Sequence, residues 1–118
     1  MELFDTTQIG LERALSGSSL RQQAIAQNIA NVNTPGYRRK DVDFQSALQS
    51  AWDDGESAVE RASITTKTDN STTMRADGNA VDIDAEASEQ AKNGLTYEAV
   101  SQLMKTRVSI IKSAIGTM

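Results

Sequence analysis

The C-terminal stretch YEAVSQLMKTRVSIIKSAIGTM, residues 97–118, establishes the fold class of this chain. Apolar residues recur in it at intervals of seven, a spacing that places them on one side of an α-helix. They are Tyr97, Met104, Ile111 and Met118. Further large apolar residues flank this row, so the apolar face is wide enough to contact more than one neighbour. These are Val100, Leu103, Val108, Ile110 and Ile115.

The same helix extends back to about residue 82, where acidic residues crowd its predicted start. Carboxylates near a helix N-terminus and cations toward its C-terminus both stabilise the helix dipole, and this segment has that arrangement. Asp84 is the predicted N-cap. Gly94 is the one interior position that weakens the helix, because glycine costs about 1 kcal/mol relative to alanine.

A second amphipathic helix is predicted over residues 5–31. Its apolar residues also recur at sevenfold spacing, with a companion row four residues on. They are Phe4, Leu11, Ile25 and Val32, accompanied by Leu15 and Ile29. Asp5 followed by Gln8 is a loose capping-box signal. Gly17 and the serines around it weaken the centre, so we expect this helix to need a partner surface.

A turn is predicted after this helix, since Pro35 cannot occupy a helix interior and pushes Thr34 out of the α region. Pro35 and Gly36 are the residues that a type II turn prefers at its two central positions. A small basic cluster follows at residues 37–40, and acidic residues just beyond it nearly balance its charge.

The middle of the chain is polar and predicts little regular structure. Phe44, Leu48 and Trp52 are spaced by four, which indicates a helix of two or three turns capped by the preceding aspartate. Residues 57–73 contain eight Ser or Thr residues, a composition too polar to fold alone. We expect them to be irregular or ordered only in an assembly, with at most one short strand at residues 64–66.

Together these patterns predict a mainly α fold. Two amphipathic helices lie at the two ends of the chain, separated by an irregular, partly extended or disordered polar middle. The predicted boundaries are residues 1–34 for the N-terminal helix, 35–80 for the turn and variable middle, and 81–118 for the C-terminal helix.

The composition excludes most catalytic chemistry. The 118 residues include no His and no Cys, which removes the usual proton shuttle, the thiolate nucleophile and nitrogen or sulfur metal ligands. Residues 77–84 cluster carboxylates, but their order does not match a calcium-binding loop. The net charge of -4 argues against a nucleic-acid-binding surface. We therefore predict no enzyme activity, no cofactor, no metal and no small-molecule substrate.

The start of the chain, residues 1–5, lacks the basic residues and apolar run of a secretory signal peptide. No stretch approaches the roughly 18 apolar residues of a membrane span. From the residues alone we expect a soluble protein made in the cytosol.

Residues 20–37 read LRQQAIAQNIANVNTPGY. This run closely resembles the signature of the bacterial flagellar basal-body rod and hook family, in which a helix that carries Asn-Ile-Ala-Asn or Asn-Leu-Ala-Asn leads into Thr-Pro-Gly-Tyr. The matching positions of the motif are Asn28, Asn31, Thr34, Pro35, Gly36 and Tyr37. Residues 77–84 and 95–99 also resemble the family, whereas the middle of the chain carries little of the resemblance.

The resemblance implies a structural subunit of the rod, the drive shaft that crosses the periplasm. It implies that the N- and C-terminal helices pair as a coiled-coil-like hairpin. It also implies export through the flagellar type III apparatus without a cleaved signal, and therefore a location in the basal body. The implied partners are other rod proteins of the FlgC, FlgF and FlgG types, a FliE-type adaptor, the inner-membrane ring and further copies of this chain. Nucleic acid is not among them.

We predict that neighbouring subunits cover the apolar sides of both terminal helices. The predicted assembly residues are Leu11, Leu15, Ile25, Ile29, Tyr97, Val100, Met104, Val108, Ile111 and Ile115. For any one of them, the alternative is burial inside its own chain. The alternative function is a small helical adaptor or regulatory module that folds on one partner. An adaptor would saturate at a fixed stoichiometry, whereas a rod subunit would continue into larger assemblies.

Overall fold

The computed structural model describes residues 5–70 and 80–116. Its elements, in chain order, are α1 (Thr6–Ala30), β1 (Lys40–Asp41), α2 (Phe44–Trp52), α3 (Glu56–Glu60), β2 (Lys67–Thr68) and α4 (Ile83–Gly116). Phe4, Met118 and residues 77–79, the first part of the carboxylate cluster, lie outside the described residues. Within the described ranges, no helix combines the length and apolar character that crossing a membrane requires.

The two long helices, α1 and α4, contact each other as an antiparallel pair, which confirms the predicted mainly α fold. Gln8 near the start of α1 bonds Arg107 late in α4, whereas Asn28 near the end of α1 bonds Glu86 early in α4. The radius of gyration is 17.8 Å. A compact chain of this length would have a value of about 13–14 Å, so the molecule is elongated.

An aspartate side chain caps the N-terminus of each of the first two helices. The Oδ1 of Asp5 accepts a hydrogen bond from the backbone N–H of Gln8 at 2.8 Å, which caps α1. The Oδ1 of Asp43 accepts from the backbone N–H of Ser46 at 3.2 Å, which caps α2. Both predicted caps are confirmed, because each carboxylate satisfies an N–H that has no partner within its helix.

The predicted cap of α4 is wrong by two residues. The Oδ1 of Asp82 accepts from the backbone N–H groups of Asp84 at 3.0 Å and of Ala85 at 3.3 Å. Since the helix begins at Ile83, the residue before it is the one that reaches the free N–H groups of the first turn. Asp84 therefore lies inside the helix, where its charge faces the positive end of the dipole.

The turn after α1 has the predicted geometry. The backbone N–H of Tyr37 donates to the carbonyl of Thr34 at 3.2 Å, which closes a four-residue turn. Gly36 has a φ of 78°, the positive value that the third position of a type II turn requires. This turn redirects the chain so that β1 runs back beside α1.

The core lies where the middle segment packs on α1. Ala24, Val42 and Phe44 form a buried cluster, and four half-buried side chains surround it. These are Ala14, Leu20, Leu48 and Ile64. The helices α2 and α3 contact α1 but not α4. One side of α1 is therefore covered by the middle segment and another by α4.

The middle segment contains more structure than its composition predicts. A single turn of helix, α3, was not predicted, and it buries Val59 completely. The strand expected at residues 64–66 is wrong: β2 is Lys67–Thr68, antiparallel to β1, with Lys40 opposite Thr68 and Asp41 opposite Lys67. Its pairing depends on a strand far away in sequence, which local composition does not reveal.

Gly17 is a packing site and does not interrupt α1, which runs unbroken through it. A Cβ atom built at Gly17 would lie 2.3 Å from Cγ of Phe44, so the missing side chain is what lets the Phe44 ring reach the helix backbone. Ile25 is likewise buried within its own chain. The partner surface that α1 was expected to need is therefore supplied in large part by the same molecule.

Candidate assembly surface of the terminal helices

Polar residues of α4 face α1 at intervals of seven. They are Glu86, Asn93 and Arg107, and Val100 occupies the remaining position of the row. Each of the three polar residues bonds a residue of α1. We call this line of contacts the polar seam. Because its polar groups must match along two helices, the seam sets the register of the pair.

At one end of the polar seam, Arg107 joins α4 to the start of α1. Its Nε donates to Oε1 of Gln8 and its Nη2 donates to Oδ1 of Asp5, both at 3.1 Å. The backbone N–H of Gln8 holds the pKa of Asp5 below its usual value, and the Arg107 side chain lowers it further. The cap of α1 and the end of the seam are thus one unit.

At the other end of the polar seam, Asn28 is fully buried, and both the amide nitrogen and the amide oxygen of its side chain form hydrogen bonds. Its Nδ2 donates to the carbonyl of Lys40 at 2.8 Å and to Oε2 of Glu86 at 3.1 Å. Its Oδ1 accepts from the backbone N–H of Lys40 at 2.8 Å and from the Tyr37 hydroxyl at 3.1 Å. The side chain therefore pairs with the edge of β1 as a neighbouring strand would.

The carboxylate of Glu86 is buried beside Asn28 and is neutralised by Arg39. The Nε of Arg39 donates to Oε1 of Glu86 at 2.6 Å, and its Nη1 donates to Oδ2 of Asp69 at 2.9 Å. Burial alone would lower the pKa of Arg39, but these two hydrogen bonds raise it overall. Burial, and then the charge of Glu86, raise the pKa of Tyr37.

We call this group the polar junction: Asn28, Tyr37, Arg39, Lys40, Asp69 and Glu86. It ties the end of α1, the turn, the strand pair and the start of α4 together. Arg21 adds a second link, since its Nη2 lies 3.0 Å from Oε2 of Glu89 and its Nε lies 3.3 Å from Oδ1 of Asp41. The role of the polar junction is structural, because the charge of Arg39 pairs with those of Glu86 and Asp69 within the chain.

Large apolar side chains of α4 lie exposed on both sides of the polar seam. On one side, Leu103 and Ile110 are 56% and 63% exposed, and Leu95 is 68% exposed. On the other side lie Tyr97, Val108 and Ile115, which are also exposed. We call these two rows the apolar flanks of α4. Their exposure in one chain is typical of a surface that another protein covers.

The structure distributes the predicted assembly residues over three environments. Buried in the chain's own interior is Ile25. Half-buried are Leu11, Leu15, Ile29, Val100, Met104 and Ile111. Exposed are Tyr97, Val108 and Ile115. The residues predicted on α4 therefore belong partly to the seam and partly to one flank. The prediction left out three of the most exposed apolar residues, Leu95, Leu103 and Ile110.

The residues of the family motif, from Asn28 to Tyr37, also lie in different environments. Asn28 and Tyr37 belong to the polar junction, whereas Thr34, Pro35 and Gly36 are exposed in the turn. Asn31 is half-buried: its Nδ2 donates to the carbonyl of Gln27 at 2.8 Å, and its Oδ1 accepts from the Thr34 hydroxyl at 3.1 Å. This second asparagine therefore holds the end of the helix and the turn locally.

Sequence reasoning missed Glu86, Asn93 and Arg107 because it followed only the apolar repeat. The signal was present, since the three recur at the same sevenfold spacing as the apolar residues. A polar residue at such a spacing is more often exposed to solvent than buried between helices. Only its partner on α1 shows which of the two applies. Arg39 and Asp69 had no periodic signal in the sequence.

An elongated helix pair with a polar seam between its helices and exposed apolar flanks defines a structural subunit that assembles with other proteins. The comparison with protein families agrees: residues 11–38 match the family described as flagella basal body rod protein. This match covers all of α1 except its first turn, the turn after it and the residues that lead into β1.

Relatives extend the similarity over the whole chain. The flagellar basal body rod protein FlgB of Bacillus subtilis is 34% identical over 130 aligned positions, covering 98% of this chain and 97% of the relative. FlgB of Escherichia coli is 30% identical, covering 86% of this chain and 90% of the relative. FlgB of Salmonella typhimurium is 30% identical, covering 74% and 76%. The chain belongs to the FlgB family of flagellar basal body rod proteins, which are structural and not enzymatic.

Proposed function

We propose that the apolar flanks of α4 are the surface through which this rod subunit packs against its neighbours. The observation that carries the proposal is the exposure of Leu95, Leu103 and Ile110, each more than half exposed in the single chain. Burying a side chain of this size stabilises a contact by about 1.5–3 kcal/mol. Several such side chains along one helix therefore supply a substantial driving force for assembly.

The position of the flanks supports neighbours on two sides. Because the two rows lie on either side of the polar seam, each faces away from α1 in a different direction. A flank of one subunit then meets a different patch of the next, which is a heterologous contact. Such contacts propagate into an open helical assembly when the rotation between subunits does not close a ring.

Within the basal body, the partners that fit this role are further copies of the chain and rod proteins of the FlgC, FlgF and FlgG types. A FliE-type adaptor and the inner-membrane ring would contact the end of the assembly. The subunit would reach its place through the flagellar type III export apparatus. Its mechanism is mechanical: torque passes through many packed contacts between helices, and no covalent bond changes.

The direct test is Ile110→Asp, in cells that lack the wild-type copy. Because Ile110 is 63% exposed, a charge there should leave the fold of the subunit intact while it blocks a buried contact. We expect normal production and export, but at least a tenfold loss of rod incorporation and of swimming. Ile111→Asp should lose incorporation too, but also stability, since Ile111 is half-buried.

Ser109→Asp is the matched control, because it adds the same charge at the adjacent exposed position without removing a large apolar side chain. It should be incorporated normally. Wild-type rod assembly by Ile110→Asp would contradict the proposed surface. Saturation at a small fixed stoichiometry with purified rod proteins would instead favour an adaptor.

A further inference from the structure

A groove of about 420 Å³ lies along α4 near the C-terminal end of the helix. Its lining consists of Met104, Lys105, Val108, Ser109 and Lys112. Met104 and Val108 supply its apolar surface, and Val108 belongs to one of the apolar flanks of α4. Lys105 and Lys112 are seven residues apart, so they follow one line of the helix about 10 Å apart along its axis. We call this feature the lysine groove.

Both lysines of the groove are available to a partner. Each is exposed, and neither forms an ion pair within residues 5–70 and 80–116. An apolar surface with two unpaired ammonium groups beside it fits an apolar side chain that has carboxylates around it. A basic segment would be repelled there, and a neutral segment would gain nothing from the two charges.

The chain carries a surface with that chemistry where α2 leads into α3. Trp52, the last residue of α2, is 44% exposed. A Cβ atom built at Gly10 would lie 2.6 Å from Cζ3 of Trp52, so one edge of the indole packs on α1 and the rest stays open. Arg61, the nearest cation in the sequence, bonds the carbonyl of Ser57. Exposed carboxylates without an ion pair in the described residues follow Trp52 in the chain, and they are Asp53, Asp54, Glu56 and Glu60. We call Trp52 and these carboxylates the acidic patch.

We propose that the lysine groove of one subunit receives Trp52 and the acidic patch of a second copy of this chain. The two surfaces do not meet within one molecule, because the described residues of α2 and α3 contact α1 but not α4. Since the contact joins two different surfaces, each copy presents its patch to one neighbour and its groove to another. The inference rests on the proposed function, and it names the surface that meets one of the two apolar flanks.

The apolar and the charged parts of this contact contribute differently. Covering the indole and the apolar side of the groove removes apolar area from water, which drives association. Tryptophan is among the residue types that supply most of the binding energy at protein interfaces. The exposed ion pairs at the edge add little affinity. They determine which surfaces fit, because contact between two grooves or two patches would bring like charges together.

The first experiment uses the natural fluorescence of the chain. Trp52 is its single Trp, so the emission reports on that position alone. As the concentration of wild-type chain rises toward about 1 mM, we expect the emission to move to shorter wavelength while the sedimentation coefficient increases. A chain that stays monomeric, or that associates with unchanged emission, would overturn the contact between copies.

The second experiment reverses the charge of the groove. Lys105→Glu combined with Lys112→Glu should fold as wild type, since both side chains are exposed, but should self-associate at least about tenfold more weakly. Lys67→Glu combined with Lys92→Glu is the control, because it makes the same change in net charge at exposed lysines outside the groove. Equal weakening by the control would overturn the contact. Ser109→Asp leaves the groove with a net positive charge and should weaken association only about twofold.

A complementary variant tests the pairing of the two surfaces. Asp53→Lys, Asp54→Lys and Glu60→Lys together make the patch basic, and each new lysine lies at the C-terminal end of a helix, where a cation is favourable. The patch variant and the groove variant should each fail to self-associate. An equimolar mixture of the two should associate, because opposite charges then face each other at every contact. A mixture that stays monomeric would overturn the proposal.

Incorporation in cells separates this contact from the rod function. The groove variant should be incorporated at least about tenfold less than wild type. If it assembled as wild type while Ile110→Asp did not, the contact would be wrong and the rod function would stand. If both variants assembled as wild type, and cells lacking the chain swam normally, the proposed function itself would be wrong. Binding of the groove to another rod protein in place of this chain would also overturn the contact between copies.

Discussion

The polar seam and the apolar flanks of α4 reverse the usual arrangement of a helix pair. Amphipathic helices normally bury an apolar stripe and expose polar residues. Here Glu86 and Asn93 are buried against α1, while Leu95 and Ile110 lie exposed on the outside. The difference separates two surfaces: the seam pairs helices within a chain, and the flanks are the surface that we propose packs against neighbouring chains.

Physical chemistry gives each surface a different property. A buried polar contact adds little net stability, but a misaligned one costs the desolvation of every unpaired group. The seam therefore favours one register of α1 against α4. Apolar contact is less directional and grows with the area covered, so the flanks suit packing against several neighbours.

The most severe test of the comparison is Asn28→Asp in the polar junction. It replaces the two N–H donors that serve Lys40 and Glu86 with a second carboxylate beside Glu86. An uncompensated buried charge costs about 3–5 kcal/mol, so we expect a loss of that size in the free energy of unfolding. Urea unfolding followed by circular dichroism measures it.

Asn31→Asp is the control for that variant, since it makes the same change in the same motif at a half-buried, locally bonded position. It should cost less than about 1 kcal/mol. Equal losses for the two variants would show that the junction does not depend on Asn28 and would remove the contrast between seam and flanks.

An intermediate effect is expected from the two helix glycines that face different surroundings. Gly17→Ala places a Cβ 2.3 Å from Cγ of Phe44 and should destabilise the chain by about 1–3 kcal/mol. Gly94→Ala meets nothing within 4 Å and should stabilise it by up to about 1 kcal/mol. Thermal unfolding of both variants gives the comparison. A stabilised Gly17→Ala would mean that the Phe44 contact with α1 is absent in solution.

The smallest effect concerns acid stability. The backbone N–H of Gln8 lowers the pKa of Asp5, and hydrogen bonds from Ser46 lower that of Asp43. A carboxyl group with a lowered pKa stabilises the fold above its ordinary value of 3.8, and this stability is lost as the pH falls through the lowered pKa. Melting temperature should therefore fall below about pH 4.

Asparagine caps a helix about as well as aspartate and does not titrate in this range. The variant that combines Asp5→Asn with Asp43→Asn should consequently show a shallower fall in melting temperature between pH 5 and pH 2. At neutral pH it should differ from wild type mainly through the lost ion pair with Arg107. An identical acid profile for the two proteins would contradict the role of these caps.

Periodicity and capping were sufficient to predict α1, α2 and α4, the N-caps Asp5 and Asp43, and the type II turn at Gly36. These features depend on residues within a few positions of each other, so they can be predicted from the local sequence. The cap of α4 was misplaced because several carboxylates compete at its start, and only the helix geometry selects Asp82.

The tertiary structure was needed for the features that join distant parts of the chain. Sequence alone established two amphipathic terminal helices and a polar middle. It did not show that Gly17 receives Phe44, that β2 pairs with β1, or that Asn28 meets Glu86. A polar side chain at helical spacing is solvated or buried according to what lies across from it, and that partner is set by packing between residues far apart in the chain.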